Sequence, residues 1–145
     1  MKTFNQFINE GIRDLMTGKP KEGIRKSFVN TPLDHKLVSA VRNNLLWLVE
    51  ETIEEGADIH WMDDMALQMA ISKDGDLEIL RVLMEHGANI HAQDDYAIRF
   101  ASEDGRTDMV KLLLKYKPDI HANSDYAIQM GNPDIIKLLN EYEKN

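Results

Sequence analysis

Three histidines recur in register along the chain, His60, His91 and His121, each closing an Asp/Asn-Ile-His phrase. Behind the first two lie the acidic pairs Asp63-Asp64 and Asp94-Asp95. Imidazoles and carboxylates are the groups that build zinc sites, calcium sites and acid–base catalysts. Spacing argues against all three. A zinc ion needs its nitrogens at about 2 Å, whereas histidines on successive stacked units stand roughly 8 to 10 Å apart. Adjacent aspartates at a turn need not converge on one point, and no EF-hand loop surrounds them. The histidine is therefore expected to hydrogen-bond within its turn, and the second aspartate of each pair to cap a helix. No glycine-rich phosphate loop, nucleophile elbow or His-Glu-x-x-His is present. No catalytic, cofactor-binding or metal-ligating residue is assigned, no cofactor is implied, and an enzyme is not expected.

What positions these residues is a repeat. GADIH at 56–60, GANIH at 87–91 and KPDIH at 117–121 place Ile59, Ile90 and Ile120 at spacings of 31 and 30 residues. Each unit holds two short helices. The first opens after Asp64, Asp95 or Asp125 and buries Leu67 and Ala70, or Ile98 and Ala101. Gly75 and Gly105 fit a left-handed stop after it. The second helix carries an apolar stripe of helical period, Ile79-Leu80-Arg81-Val82-Leu83-Met84 in one unit and Met109-Val110-Lys111-Leu112-Leu113-Leu114 in the next. Ile135-Ile136-Lys137-Leu138-Leu139 continues it, with one outward charge in each copy. Gly56 and Gly87 close second helices. Counting back from Gly56 gives an earlier unit, with Leu37, Ala40 and Val41 on its first helix and Leu48, Val49 and Ile53 on its second.

These features resemble the ankyrin repeat, over about residues 31–143, most closely at GADIH, GANIH, DGDLEILRVLMEHG (74–87) and EDGRTDMVKLLLKY (103–116). Where that family has Thr-Pro-Leu-His, this chain has Met65-Ala66-Leu67-Gln68, Tyr96-Ala97-Ile98-Arg99 and Tyr126-Ala127-Ile128-Gln129. The Thr31-Pro32-Leu33 that does occur lies four residues before the Leu37 register. The stretch from Ile90 to Ile98 is also three residues shorter than in the family, so the projecting hairpin is expected to shrink to a tight turn. The last unit runs nine residues from Tyr126 to Ile135 against thirteen from Tyr96 to Met109, a loss of about one helical turn. Asn132 and Pro133 then open its second helix. The resemblance implies an all-α ankyrin-repeat solenoid of about four helix-turn-helix units, with shortened hairpin turns and degenerate terminal caps. It also implies a protein–protein interaction module, here binding through the turn and first-helix face. The contact residues expected from repeat geometry are Trp61, Asp63, Gln68, Ser72, Asp94, Arg99, Ser102, Asn123 and Gln129. Trp61 stands where the next units have Ala92 and Ala122, as a binding anchor or as packing over the neighbouring turn.

Composition sets the company this surface keeps. The 145 residues are 43% hydrophobic and 29% charged, an ordinary globular balance, with no cysteine for disulfides or thiolate chemistry. No apolar run reaches the roughly 18 to 20 residues of a membrane span, and no secretory signal opens the chain. Net charge is −8, divided as seven Lys/Arg against four Asp/Glu over residues 1–36 and ten against twenty-one over the rest. So acidic a body repels phosphates and anionic membranes, and favours a basic protein partner. Neither nucleic acid nor membrane is an expected partner, and a monomer is expected. An acidic decoy occupying a nucleic-acid-binding site is the alternative.

Residues 1–30 form an N-terminal arm outside the repeat, broken at Thr17-Gly18-Lys19-Pro20, with the repeat domain over 31–145. Ile24 and Phe28, four apart, are expected on one face of a capping helix at about 20–29. The alternative is a basic partner-binding helix carrying Lys19, Lys21, Arg25 and Lys26. The opening MKTFNQFINE is similar to the leaders that send internal proteins into T-even-type phage heads, which implies cleavage between Glu10 and Gly11. It further implies packaging in the virion and action on a host factor in the cytoplasm, or a structural role in the head. The alternative is a plain terminal helix with Phe4, Phe7 and Ile8 on its apolar side.

Overall fold

Helix boundaries follow the repeat phrases. The structure, a computed structural model, describes residues 28–72 and 74–144. Among them the chain forms eight α-helices and no strand, paired as α1 (Leu33–Arg42) with α2 (Leu46–Glu54) and α3 (Trp61–Ala70) with α4 (Leu77–Glu85). There follow α5 (Ala92–Glu103) with α6 (Thr107–Leu113), and α7 (Ala122–Met130) with α8 (Pro133–Glu143). First helices pack on first helices in chain order, and second helices on second helices. The fold is a four-unit all-α solenoid.

Its core is the apolar stripe. Leu37, Leu67 and Ile98 are buried on the first helices, and Leu48, Leu80 and Leu113 on the second. Ile79, Met109 and Ile135 repeat one fully buried position, while Lys111 and Lys137 stay outside. Two buried hydroxyls would be costly inside this core. Thr52 and Ser102 avoid the cost by donating to the carbonyls of Leu48 and Ile98, one turn back.

Each shortened hairpin is one turn of left-handed backbone. Met62, Asp63 and Asp64 have φ of 52°, 57° and 57°, and the same conformation recurs at Gln93-Asp94-Asp95 and Asn123-Ser124-Asp125. At non-glycine residues this conformation costs roughly 1 to 2 kcal/mol each, so neighbouring contacts must hold it. Asp64 N–H reaches His60 O at 3.3 Å and Asp125 N–H reaches His121 O at 3.0 Å.

Helix ends show where the sequence misleads. Gly56, Gly87 and Gly105 are left-handed, but Gly75 is not. One extra residue lies between Ala70 and Gly75 relative to Ala101 and Gly105, and the loop closes instead by Gly75 N–H on Ser72 O at 2.7 Å. Arg106 Nη2 grips that loop at Gly75 O, 3.1 Å away, and Asn44 Nδ2 at Asp74 O, 2.7 Å away. Asn44, with φ of 53°, occupies the glycine position in the first unit, and its successor Leu45 donates to Ala40 O as Arg106 does to Ala101 O. In the last unit α7 has nine residues against twelve in α5. Asn132 Oδ1 caps α8 at Ile135 N–H, 3.0 Å, with Pro133 behind it. Phe28–Asn30 form a turn rather than the end of the helix expected to reach 29, and Phe28 is buried on the first unit. The rest of that helix, the basic alternative and the leader with Glu10 and Gly11 lie outside the described residues.

Candidate interaction surface

The connectors between units assemble the turn edge. Asp58, Asn89 and Asp119 each accept, through Oδ1, the N–H of the histidine two residues on, at 2.9, 3.0 and 2.9 Å. Each histidine then sets Nδ1 against the aspartate four residues further, 3.2 Å for His60 with Asp64 and 3.0 Å for His91 with Asp95. His121 pairs likewise with Asp125. An ionised carboxylate only accepts, so Nδ1 carries the proton, and the histidines close turns as their recurrence implied. The Asp125 hydrogen bond holds the His121 imidazolium above its ordinary range, helped by charge from Glu143 and Asp119.

The aspartates do not cap their own helices. Asp34 accepts the N–H of Asp58, Asp64 that of Asn89 and Asp95 that of Asp119, each at 2.7 Å. An N-cap residue needs extended backbone, and the left-handed φ at Asp64 and Asp95 aims the carboxylate at the next unit instead. These bonds form a ladder between units. Asp64 and Asp95 are 3% and 5% exposed, so their two rungs are charge-assisted bonds largely shielded from water, whereas the Asp34 rung is exposed.

Several residues expected at the contact surface belong to this framework. Gln68 Nε2 donates to Asp63 O at 2.8 Å, Arg99 Nε to Asp94 O at 2.8 Å and Gln129 Nε2 to Ser124 O at 2.7 Å. Arg99 Nη2 adds Gln93 O at 2.8 Å. All three occupy one register and hold the left-handed turns. Ser102 is a correction: it is fully buried, because its bond to Ile98 O puts it on the inward side of α5. Trp61 is half-buried, its ring 4.5 Å from that of His35 on the preceding unit. Asp63, Asp94 and Asn123 are exposed, one on each turn, and Ser72 is exposed in the irregular loop.

Two outward rows went unnoticed in the sequence. Met65, Tyr96 and Tyr126 share one register, Met69, Phe100 and Met130 another, and all six are half-exposed or exposed on the first helices. Tyr96 stacks on Phe100 at 5.0 Å, and the Arg99 guanidinium lies 5.8 Å from the Tyr126 ring centre. Burial raises the Tyr96 pKa, and a hydrogen bond with Glu103 raises that of Tyr126. A signal existed: each of Met65, Tyr96 and Tyr126 sits two residues before the buried Leu67, Ile98 or half-buried Ile128, about 200° round the helix.

Among the described residues no three histidine or acidic side chains gather where they could hold a metal ion, and no helix is long and apolar enough to cross a membrane. Stacked helix pairs, an ordered turn edge and outward rows of large side chains define a repeat solenoid that presents surface. The family model for ankyrin repeats, in three copies, matches residues 37–125, and the chain belongs to that family. Ankyrin repeats are generic protein–protein interaction modules. No curated protein matches the chain.

Proposed function

We propose that the chain binds a protein partner through the rows Met65/Tyr96/Tyr126 and Met69/Phe100/Met130, flanked by the acidic turn edge. The observation that carries this reading is the register of those side chains, one in each row from each of the last three units, on adjoining first helices. Tyrosine, phenylalanine and methionine combine area with adaptable shape and dominate interface energetics. Asp63, Asp94 and Asn123 border the rows and favour a basic rim on the partner. Trp61, propped on His35, extends the surface toward the first unit. Gln68, Arg99 and Gln129 contribute by keeping the turns in shape, and Ser72 adds an exposed contact. The resemblance of the opening residues to a phage-head leader extends the reading to a host protein met after delivery with phage DNA.

The test is affinity for the captured partner. Tyr96→Ala with Phe100→Ala lowers affinity about 30-fold or more, a hot-spot loss of about 2 kcal/mol, with the folded helical content unchanged. Unaltered affinity in that variant would refute the assignment of this face. The exposed aspartates Asp58, Asp63, Asp94 and Asp119 along one edge favour a second reading, a decoy for a nucleic-acid-binding site. DNA then competes with the protein and affinity falls steeply with salt, whereas contact through the aromatic rows changes little.

A further inference from the structure

Among the described residues, one of the three register histidines meets two carboxylates. His60 and His91 set Nδ1 against the aspartate of their own turn, Asp64 or Asp95. His121 pairs Nδ1 with Asp125 in the same way, and its Nε2 lies 3.3 Å from Glu143 Oε1, at the end of α8. An ionised carboxylate only accepts, and a neutral imidazole carries a single N–H. With that proton on Nδ1 for Asp125, a neutral ring turns the Nε2 lone pair toward Glu143, which repels it. The imidazolium satisfies both carboxylates at once.

The surroundings act in the same direction. Asp119 adds negative charge from the connector, while Asp95 on the preceding turn is buried and engaged with the Asp119 N–H and with His91. Lys115 and Lys117 line the same groove as His121 and oppose a further cation. The balance still holds His121 above its ordinary range, first through the Asp125 hydrogen bond, against the opposing effect of desolvation, and then through the charges of Asp125, Glu143 and Asp119. Glu143 ends α8 in a last turn that has no basic residue, where the negative end of the helix dipole disfavours a carboxylate, with Lys144 following at the cap. The imidazolium brings positive charge to that end from outside the helix.

We infer that His121 is a pH-dependent latch, which as an imidazolium ties the last turn of α8 to the connector that opens α7, and on losing its proton releases that turn. Tyr142 leaves with it, and the groove that Tyr142 lines with Leu114 and Ile120 widens. A histidine whose pKa is higher in the folded chain stabilises fully below its unfolded value and loses that contribution as pH rises through the folded one. The latch is therefore closed from above the carboxylate range up to the raised His121 pKa, and open beyond it. Both side chains are about half exposed, so the latch moves one helical turn and not the fold.

NMR titration of the full chain tests this. The His121 ring signals, assigned with His121→Gln, and the helical secondary shifts of residues 140–143 are expected to titrate with one midpoint, the helical shifts shrinking as pH rises. Glu143→Gln is expected to lower the His121 midpoint, and His121→Gln to abolish the pH dependence of residues 140–143 over that range. Both positions are exposed, and amide shifts of α3–α6 that match the wild type show that each variant is folded. An α8 end whose shifts do not change through the His121 midpoint overturns the inference. So does a His121 midpoint that Glu143→Gln leaves in place, or a pH dependence of the α8 end that survives in His121→Gln.

Discussion

Asp95 makes the clearest energetic case for the ladder. It is buried, accepts the Asp119 N–H at 2.7 Å across units and holds His91 at 3.0 Å within its own turn. Asp95→Ala leaves that N–H without its acceptor, which costs about 2 to 3 kcal/mol for a charge-assisted bond out of water. Asp125→Ala removes an exposed carboxylate that bonds only His121, and costs about 1 kcal/mol or less. Urea unfolding of the two variants compares them directly. Equal losses would mean that the ladder bonds add nothing beyond the bonds inside each turn. Such bonds are hard to see in a sequence, because donor and acceptor stand 24 or 25 residues apart. An aspartate ahead of a helix reads more readily as a cap. The histidines were legible because their partners lie four residues away.

At the scale of elements, the left-handed turns set a contest between backbone strain and side-chain support. Asp63, with φ of 57°, is exposed, and its carbonyl, not its carboxylate, is what Gln68 holds. Asp63→Gly therefore relieves left-handed strain without losing that bond. The expected gain is about 0.5 to 1 kcal/mol after the entropy that glycine adds to the unfolded chain. Asp63→Val places a β-branched residue there and is expected to lose more than about 1 kcal/mol. Thermal unfolding of the pair reads out the sign, and a destabilised glycine variant would refute strain at this turn. The sequence showed that three residues were missing here, from the short path between Ile90 and Ile98, but not how the chain would close the gap. Buried positions were legible because Leu67, Ile98, Leu80 and Leu113 recur at repeat spacing. Outward positions are harder to read: Ser102 is buried and Gln68 is tied to its own turn, whereas Met65, Tyr96, Phe100 and Tyr126 are half-exposed on the first helices. The stripe of small and aliphatic residues fixes which side of a helix is buried, but amphipathic residues such as tyrosine and methionine fit either reading. Gly75 failed for another reason, since one additional residue in its loop removed the need for positive φ.

Over the whole molecule, stability in a solenoid is a sum over units and the interfaces between neighbours. The four units do not contribute equally. α5 buries six residues, among them Ile98 and Ala101, whereas α7 buries Ala127 alone. α8 adds Ile135 and Leu139, and the last unit packs against a described neighbour on one side only. That unit is expected to open without the rest, so native-state hydrogen exchange divides the amides into two sets, α7–α8 exchanging by partial opening and α3–α6 by global unfolding. Leu80→Ala separates the possibilities. Leu80 is fully buried on α4, away from the last unit, and its truncation costs about 2 to 5 kcal/mol. The protection of α3–α6 then falls by that amount, while α7–α8 keep theirs, because their opening leaves α4 folded. A uniform fall across every helix would show instead that the stack unfolds as one cooperative body, with the Asp95 rung and the α5–α7 contact strong enough to bind the thin last unit to the core.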